Sequence, residues 1–223
     1  MLKAILIDFD GTLVDSLNVL TEANIYALRE LGYQIDKSEL VDKLGMSFDD
    51  ILKTLISKHP ELKNLDLEKF NNFRKRYLEE NLHRIKLYKG AIELINFAKD
   101  NNLKLAIVSS SRKEYINKVL EYFNLKTVFD TIITAYDVKN AKPDPEIFLK
   151  ALGNLGVKNY ESIAIEDSIY GIIAAKRAGI PVYAVLTGVN NKKEIENLKP
   201  NGIFKNLYEL YLYFKNNLII ESL

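Results

Sequence analysis

The 223-residue chain contains no cysteine and only two histidines. Disulfides, thiolate nucleophiles and cysteine-ligated metals are therefore excluded, and two imidazoles alone cannot build an ordinary zinc site. Any metal here should be a hard cation held by oxygen. An excess of either charge is also missing: 31 Lys plus Arg stand against 30 Asp plus Glu. No basic surplus points to nucleic acid or to an acidic membrane surface. No apolar run approaches the roughly 20 residues that cross a bilayer. The opening Met-Leu-Lys-Ala-Ile-Leu-Ile-Asp ends in acid and lacks a small-residue cleavage pattern, so it reads as a strand rather than a signal peptide. The expectation is a cytoplasmic protein without nucleic-acid or membrane partners.

What is present is the balance of an ordinary globular chain, 48% apolar and 27% charged. The length suits one domain carrying an insertion. Ala4 to Ile7 is a continuous apolar run followed by Asp-Gly turn chemistry, as in a strand buried on both faces. From Ser16 to about Ile85 the period becomes helical. Leu17, Leu20, Asn24, Ala27, Leu28 and Leu31 mark one face, with Gly32 as the stop. Ser47 followed by Asp50 predicts an N-cap opening a second helix, and Leu67, Phe70, Tyr77 and Leu78 predict another. Beyond Gly90, helices and strands alternate, with strands expected at 105–108, 131–134, 163–165 and 182–185. This is the pattern of an α/β doubly wound, Rossmann-like parallel sheet. Its core spans residues 1–15 and 86–223, and residues 16–85 form an all-helical insertion.

Ligands of open parallel sheets bind beyond the carboxyl ends of the strands, where loop amides and helix N-termini converge. Those ends read Asp8-Phe9-Asp10-Gly11-Thr12, Ser109-Ser110-Ser111, Ala141-Lys142-Pro143-Asp144 and Glu166-Asp167-Ser168. Each has a plain structural explanation alone: a turn, a helix cap or a solvated loop. Four ordinary loops would seldom place this set at successive strand ends, and crowded carboxylates without a cation oppose one another's ionisation. Phosphoryl transfer needs such a set. One carboxylate attacks phosphorus, and a second moves the proton of the leaving oxygen and of water. Carboxylate-held Mg2+ neutralises charge, while Lys142 and Ser109 hold phosphoryl oxygens.

These segments, with Leu13-Val14-Asp15-Ser16 after the first and Gly171 after the last, resemble all four motifs of the haloacid dehalogenase superfamily. The likeness is nearest to members similar to phosphoglycolate phosphatase and β-phosphoglucomutase, whose helical cap corresponds in position to residues 16–85. The resemblance implies Asp8 as nucleophile and Asp10 as general acid/base. It implies magnesium bound by the Asp8 carboxylate, the Asp10 backbone carbonyl and Asp167, with Glu166 in or just behind the metal site. Ser109 and Lys142 would bind the phosphoryl group, helped by the backbone near Ser110.

Ser111 and Arg112 follow the phosphate serine, so Arg112 is a candidate for a second anionic group on the substrate, with an exposed helix-start arginine as the alternative. Leu20 stands where the mutase would have a histidine, and Gly45-Met46-Ser47-Phe48 lacks the arginine expected for a distal phosphate. Both departures favour a phosphatase for phosphoglycolate or a sugar phosphate over a phosphomutase. A binding protein that merely keeps the fold is disfavoured by the complete acidic set. His59 and His83 are expected to be structural or surface residues. Near the C-terminus, Leu207, Leu210, Tyr211 and Phe214 form a core stripe. Tyr208, Leu212 and Tyr213 are left over, for cover by 218–220 or for a homodimer contact. The chain is expected to be a monomer or a homodimer.

Overall fold

A computed structural model describes residues 1–41 and 43–217. In chain order the elements are β1 (Ala4–Ile7), β2 (Val14–Asp15), α1 (Leu17–Glu30), α2 (Lys37–Val41), α3 (Phe48–Ile56) and α4 (Leu67–Glu80). They continue with β3 (Lys86–Leu87), α5 (Ala91–Asp100), β4 (Lys104–Ser109), α6 (Lys113–Tyr122), β5 (Thr131–Thr134) and α7 (Glu146–Leu155). The last are β6 (Ser162–Glu166), α8 (Ile169–Arg177), β7 (Val182–Val185), α9 (Lys192–Asn197), β8 (Gly202–Phe204) and α10 (Leu207–Asn217).

A strand that is aliphatic at every position belongs in the middle of a sheet, and β1 lies there. The six-stranded order is β5-β4-β1-β6-β7-β8, with every pairing parallel. Successive side chains of β1 go to opposite faces. Ile5 and Ile7 enter one cluster with Leu94, Ile116 and Phe214 of α5, α6 and α10. Ala4 and Leu6 enter another with Phe148, Ile172 and Ile195 of α7, α8 and α9. Ile7 is in register with both Ile107 and Ile165, so the residues that follow β1, β4 and β6 emerge along one edge. Strand order changes direction at β1, which opens the crevice there.

The helices between β2 and β3 share a third buried cluster that includes Leu28, Leu40, Leu55 and Phe70. Phe48 stacks on Phe70 with centroids 4.1 Å apart. The chain enters and leaves this helical segment through the antiparallel pair β2–β3, where Val14 faces Leu87 and Asp15 faces Lys86.

The five strands expected from the sequence are present, and α8 starts two residues before its expected Gly171. β2, β3 and β8 were not anticipated; at two or three residues each they are too short for alternation to be read. On α1, Leu20, Asn24, Ala27 and Leu28 are buried, whereas Leu17 and Leu31 are only partly covered. Gly32 ends the helix at φ +87, and Ser47 caps α3 as expected. Leu67 lies exposed at the first turn of α4 instead of on its buried stripe. Tyr213 is tilted against Phe204 and Tyr183, while the cover expected from 218–220 lies outside the described residues. Among the described residues no helix is long and apolar enough to cross a membrane.

Candidate active site

After β1 the chain folds back on itself: the amides of Leu13 and Val14 both donate to the Phe9 carbonyl, at 2.9 and 3.0 Å. Phe9 points into the core against Tyr115, edge to face at 6.1 Å. That anchor fixes the aspartates on either side of it. Asp8 meets Lys142 from the loop after β5, a side chain only 2% exposed. The Lys142 ammonium donates to Asp8 Oδ1 at 2.5 Å, to Glu166 Oε1 at 2.6 Å and to the Val108 carbonyl at 2.8 Å. Its three protons are thus all committed to protein, and a hold on a phosphoryl oxygen would have to replace one of them. Burial works against the Lys142 charge, but the Asp8 and Glu166 carboxylates outweigh it and set its pKa above the ordinary lysine value. Burial pushes the Asp8 carboxyl well up, with Lys142 opposing.

Asp8, Glu166 and Asp167 each bring a carboxylate oxygen within 4.8 Å of the others. Against them stands one buried ammonium, so the cluster carries surplus negative charge. Burial, with the neighbouring Glu166 charge, drives Asp167 up to about 7, partly countered by the Thr12 hydroxyl that donates to it at 2.7 Å. Both Glu166 oxygens are engaged, Oε1 by Lys142 and Oε2 by Ser168 at 3.3 Å. Glu166 therefore positions Lys142, which leaves Asp8 and Asp167 as the carboxylates with capacity to bind an ion. The space beside Asp167 is kept by glycine: a Cβ at Gly11, where φ is +90, or at Gly188 would overlap its Oδ2. Buried, hard oxygen donors with a surplus of negative charge fit a divalent cation of the magnesium type.

Asp10 is held differently. Ser16 and Tyr115 donate to its Oδ1 at 2.5 and 3.1 Å, and Ser111 donates to its Oδ2 at 2.6 Å. Burial raises its pKa and the hydroxyls only partly counter this, so the group binds a proton more readily than a free aspartate. Ser111, expected as a substrate contact, is tied to Asp10 in this arrangement. Ser109 Oγ accepts the Ser111 amide at 3.1 Å, and Ser110 Oγ donates across to the Gly45 carbonyl of the helical segment at 2.7 Å.

A cavity of about 50 Å³ is lined by Asp8, Asp10, Ser109, Ser110, Ser111 and Arg112 from the sheet side, with Leu20, Met46 and Arg74 among the residues opposite. Lys142, Glu166 and Asp167 gather at Asp8 but do not line it. Sequence reasoning missed Thr12, Ser16, Tyr115 and Arg74. The first two sit inside the motif already singled out, whereas Tyr115 and Arg74 lie on helices where an aromatic or a cation is unremarkable. His59 pairs with Glu39 at 3.1 Å in the helical segment, and neither histidine joins the acidic cluster.

The chain is also similar to known proteins. A family profile described as haloacid dehalogenase-like hydrolase matches residues 5–185. The phosphorylated carbohydrates phosphatase of Thermotoga maritima is 30% identical, over 87% of this chain and 90% of that protein. The pyrophosphatase PpaX of Halalkalibacterium halodurans is 26% identical, over 94% of this chain and 95% of its own length. Among solved structures, a hydrolase from Pseudomonas syringae superimposes with a TM-score of 0.85 at 26% identity, covering 96% of this chain and 99% of the other.

Proposed function

The chain belongs to the haloacid dehalogenase-like hydrolase family, and from that premise we propose that it is a magnesium-dependent phosphatase that hydrolyses a small phosphorylated metabolite through a phosphoryl group carried on Asp8. The observation that carries the reading is the pair of unlike aspartates. Asp8 is bridged to Lys142 and set among carboxylates, and Asp10, two residues on, is held by three hydroxyls with its proton affinity raised.

Phosphate-monoester hydrolysis is among the slowest uncatalysed reactions, with enzymatic accelerations of up to about 10²¹. Splitting it into two displacements lowers the demand on each. Lys142 favours the ionised form of Asp8 against the effect of burial and holds the carboxylate in place. An Asp8 oxygen attacks phosphorus, and the bond to the ester oxygen breaks as Asp10 delivers its proton to the leaving alcohol. Water then attacks the same phosphorus, Asp10 takes its proton, and inorganic phosphate departs with Asp8 restored. Asp8, Asp167 and the Asp10 backbone carbonyl would hold magnesium, which would supply positive charge to the nucleophile and the phosphoryl oxygens. Ser109 and the adjoining backbone hold the transferring group. Residues 16–85 act as a cap over the core formed by 1–15 and 86–223.

The substrate class favoured is a sugar phosphate or phosphoglycolate, in keeping with the carbohydrate-phosphate relative. Hydrolysis is favoured over a mutase reaction because Leu20, which lines the cavity, stands where the mutase would have a histidine. Product analysis with hexose 1-phosphates separates the two, free phosphate marking hydrolysis. The principal test is release of phosphate from p-nitrophenyl phosphate. Activity should require magnesium and be abolished in Asp8→Asn; an Asp8→Asn enzyme of full activity overturns the assignment.

A further inference from the structure

Of the three hydroxyls that hold Asp10, the one from Tyr115 has the least structural reason to be there. The helix α6 buries Tyr115, Ile116, Val119 and Leu120, and a phenylalanine would fill the first of these places with the same ring. A buried phenolic hydroxyl is costly unless it is hydrogen-bonded. Tyr115 is only 7% exposed, and its hydroxyl donates to Asp10 Oδ1 at 3.1 Å. The ring packs edge to face on Phe9, the residue between the two aspartates, so one anchor fixes both the hydroxyl and the carboxylate it serves. The serines are freer. Ser16 stands at the start of α1, and its Oγ also lies 3.5 Å from the Val14 carbonyl, a second acceptor within reach. Ser111 is a half-buried loop residue after β4. A ring interlocked with the core has no comparable freedom.

The donors are divided unequally between the two Asp10 oxygens. A carboxylate oxygen offers about two acceptor positions. Those of Oδ1 are filled by Ser16 and Tyr115, whereas among the described residues Oδ2 accepts from Ser111 alone. The charge of Arg74 also favours the Asp10 carboxylate, but Arg74 Nε donates to Asn24 Oδ1 at 2.8 Å. Behind Tyr115 a cleft of about 400 Å³ runs between α4 and α6; Leu78, Arg74, Arg112 and Tyr115 line it, and Asp10 does not. We propose that Tyr115 is a positioning residue for proton transfer: its hydroxyl occupies Asp10 Oδ1, which leaves Oδ2 as the oxygen that exchanges the proton, and its ring shields the carboxylate from the cleft. The inference rests on the phosphatase reading, in which Asp10 serves first the leaving oxygen and then water.

The test is a series of aryl phosphates that share a ring and differ in leaving group: p-nitrophenyl, phenyl and 4-methoxyphenyl phosphate. The p-nitrophenolate leaves with little help from a proton, whereas 4-methoxyphenolate, the most basic of the three, depends on it most. In Tyr115→Phe, which keeps the ring on Phe9, kcat/KM should fall for every member. The fall should be roughly tenfold greater for 4-methoxyphenyl than for p-nitrophenyl phosphate. Asp10→Asn should show the same trend more steeply, and adding Tyr115→Phe to it should not steepen it; further steepening would mean that the hydroxyl acts elsewhere and overturns the inference. A thermal melt checks that each variant is folded. Tyr115→Met, which gives up the ring as well, should share the trend of Tyr115→Phe. A trend present in Tyr115→Met and absent from Tyr115→Phe assigns the placement of Asp10 to ring packing and overturns the role of the hydroxyl. An equal fall across the series in Tyr115→Phe also overturns the inference and leaves the phosphatase reading in place. No turnover of any member by the unmodified protein with magnesium removes the phosphatase reading, and this inference with it.

Discussion

A buried ammonium between two carboxylates is held by charge that nothing else nearby can replace, and Lys142 is such a group. Removing one partner from a buried ionic cluster is costly because the remaining charges stay desolvated. Lys142→Met keeps the length of the side chain and deletes the charge. At pH 8 it is expected to destabilise the protein by roughly 3–5 kcal/mol and to abolish turnover. The sign of the pH dependence follows from Asp8, whose folded pKa already lies above its ordinary 3.8 because of burial and which, without Lys142, no longer has a neighbouring positive charge to oppose that rise. As pH rises from about 4, the unfolded chain releases protons that the folded variant still retains, so the variant loses stability progressively. Thermal melts from pH 5 to 8 should show the deficit growing with pH; a constant deficit would point to lost packing alone. Asp8, Asp10, Lys142 and Asp167 could be singled out in the sequence because acidic and basic residues at strand ends have few structural reasons to cluster. Tyr115 and Arg74 could not, because a helix-borne aromatic or cation reads as core or as solvated surface until a cavity is placed against it.

At the scale of elements, the central strands were legible because each is an aliphatic run that only a buried sheet can accommodate. β8 was not, since Gly-Ile-Phe offers no run, and β2 and β3 exist only because the two chain crossings into the helical segment lie side by side. The start of α3 was legible from local chemistry alone. Ser47 Oγ accepts the Asp50 amide at 3.2 Å and donates to Asp50 Oδ2 at 2.7 Å, and Ser47 is buried. A cap shielded from water has no solvent substitute for its bond, so Ser47→Ala should lower stability by about 1 kcal/mol, read as a shifted urea midpoint with an unchanged slope. A loss of less than about 0.3 kcal/mol would mean that the α3 terminus frays without consequence. The element matters to the candidate site because Gly45, shortly before it, accepts the Ser110 hydroxyl from the loop after β4.

At the scale of the molecule, the volumes imply motion. Ligand pockets are ordinarily about 300–1,000 Å³, yet the space at the aspartates is about 50 Å³. A phosphorylated metabolite is therefore expected to enter as the helical segment separates from the sheet edge. The segment is joined to the sheet through β2 and β3, and that junction is tied to the loop after β1: Tyr88 donates to the Thr187 carbonyl at 3.0 Å, and Thr187 Oγ1 donates to the Gly11 carbonyl at 2.6 Å. Hinging at β2–β3 can open the cavity while leaving Asp8 and Asp10 where the core holds them, which admits substrate and water without rebuilding the site. Hydrogen exchange should then show slower exchange around residues 44–48 and 71–74 when magnesium and vanadate are added, with the β1 and β6 amides unchanged. Ser110→Ala, which removes the core-to-segment hydrogen bond at Gly45, should speed exchange at 44–48 in the free protein and leave the β1 amides as they were. Identical exchange at 44–48 with and without the ligands would show a fixed cover, and the route for substrate would then have to run through the cleft between α4 and α6, past Arg74 and Arg112.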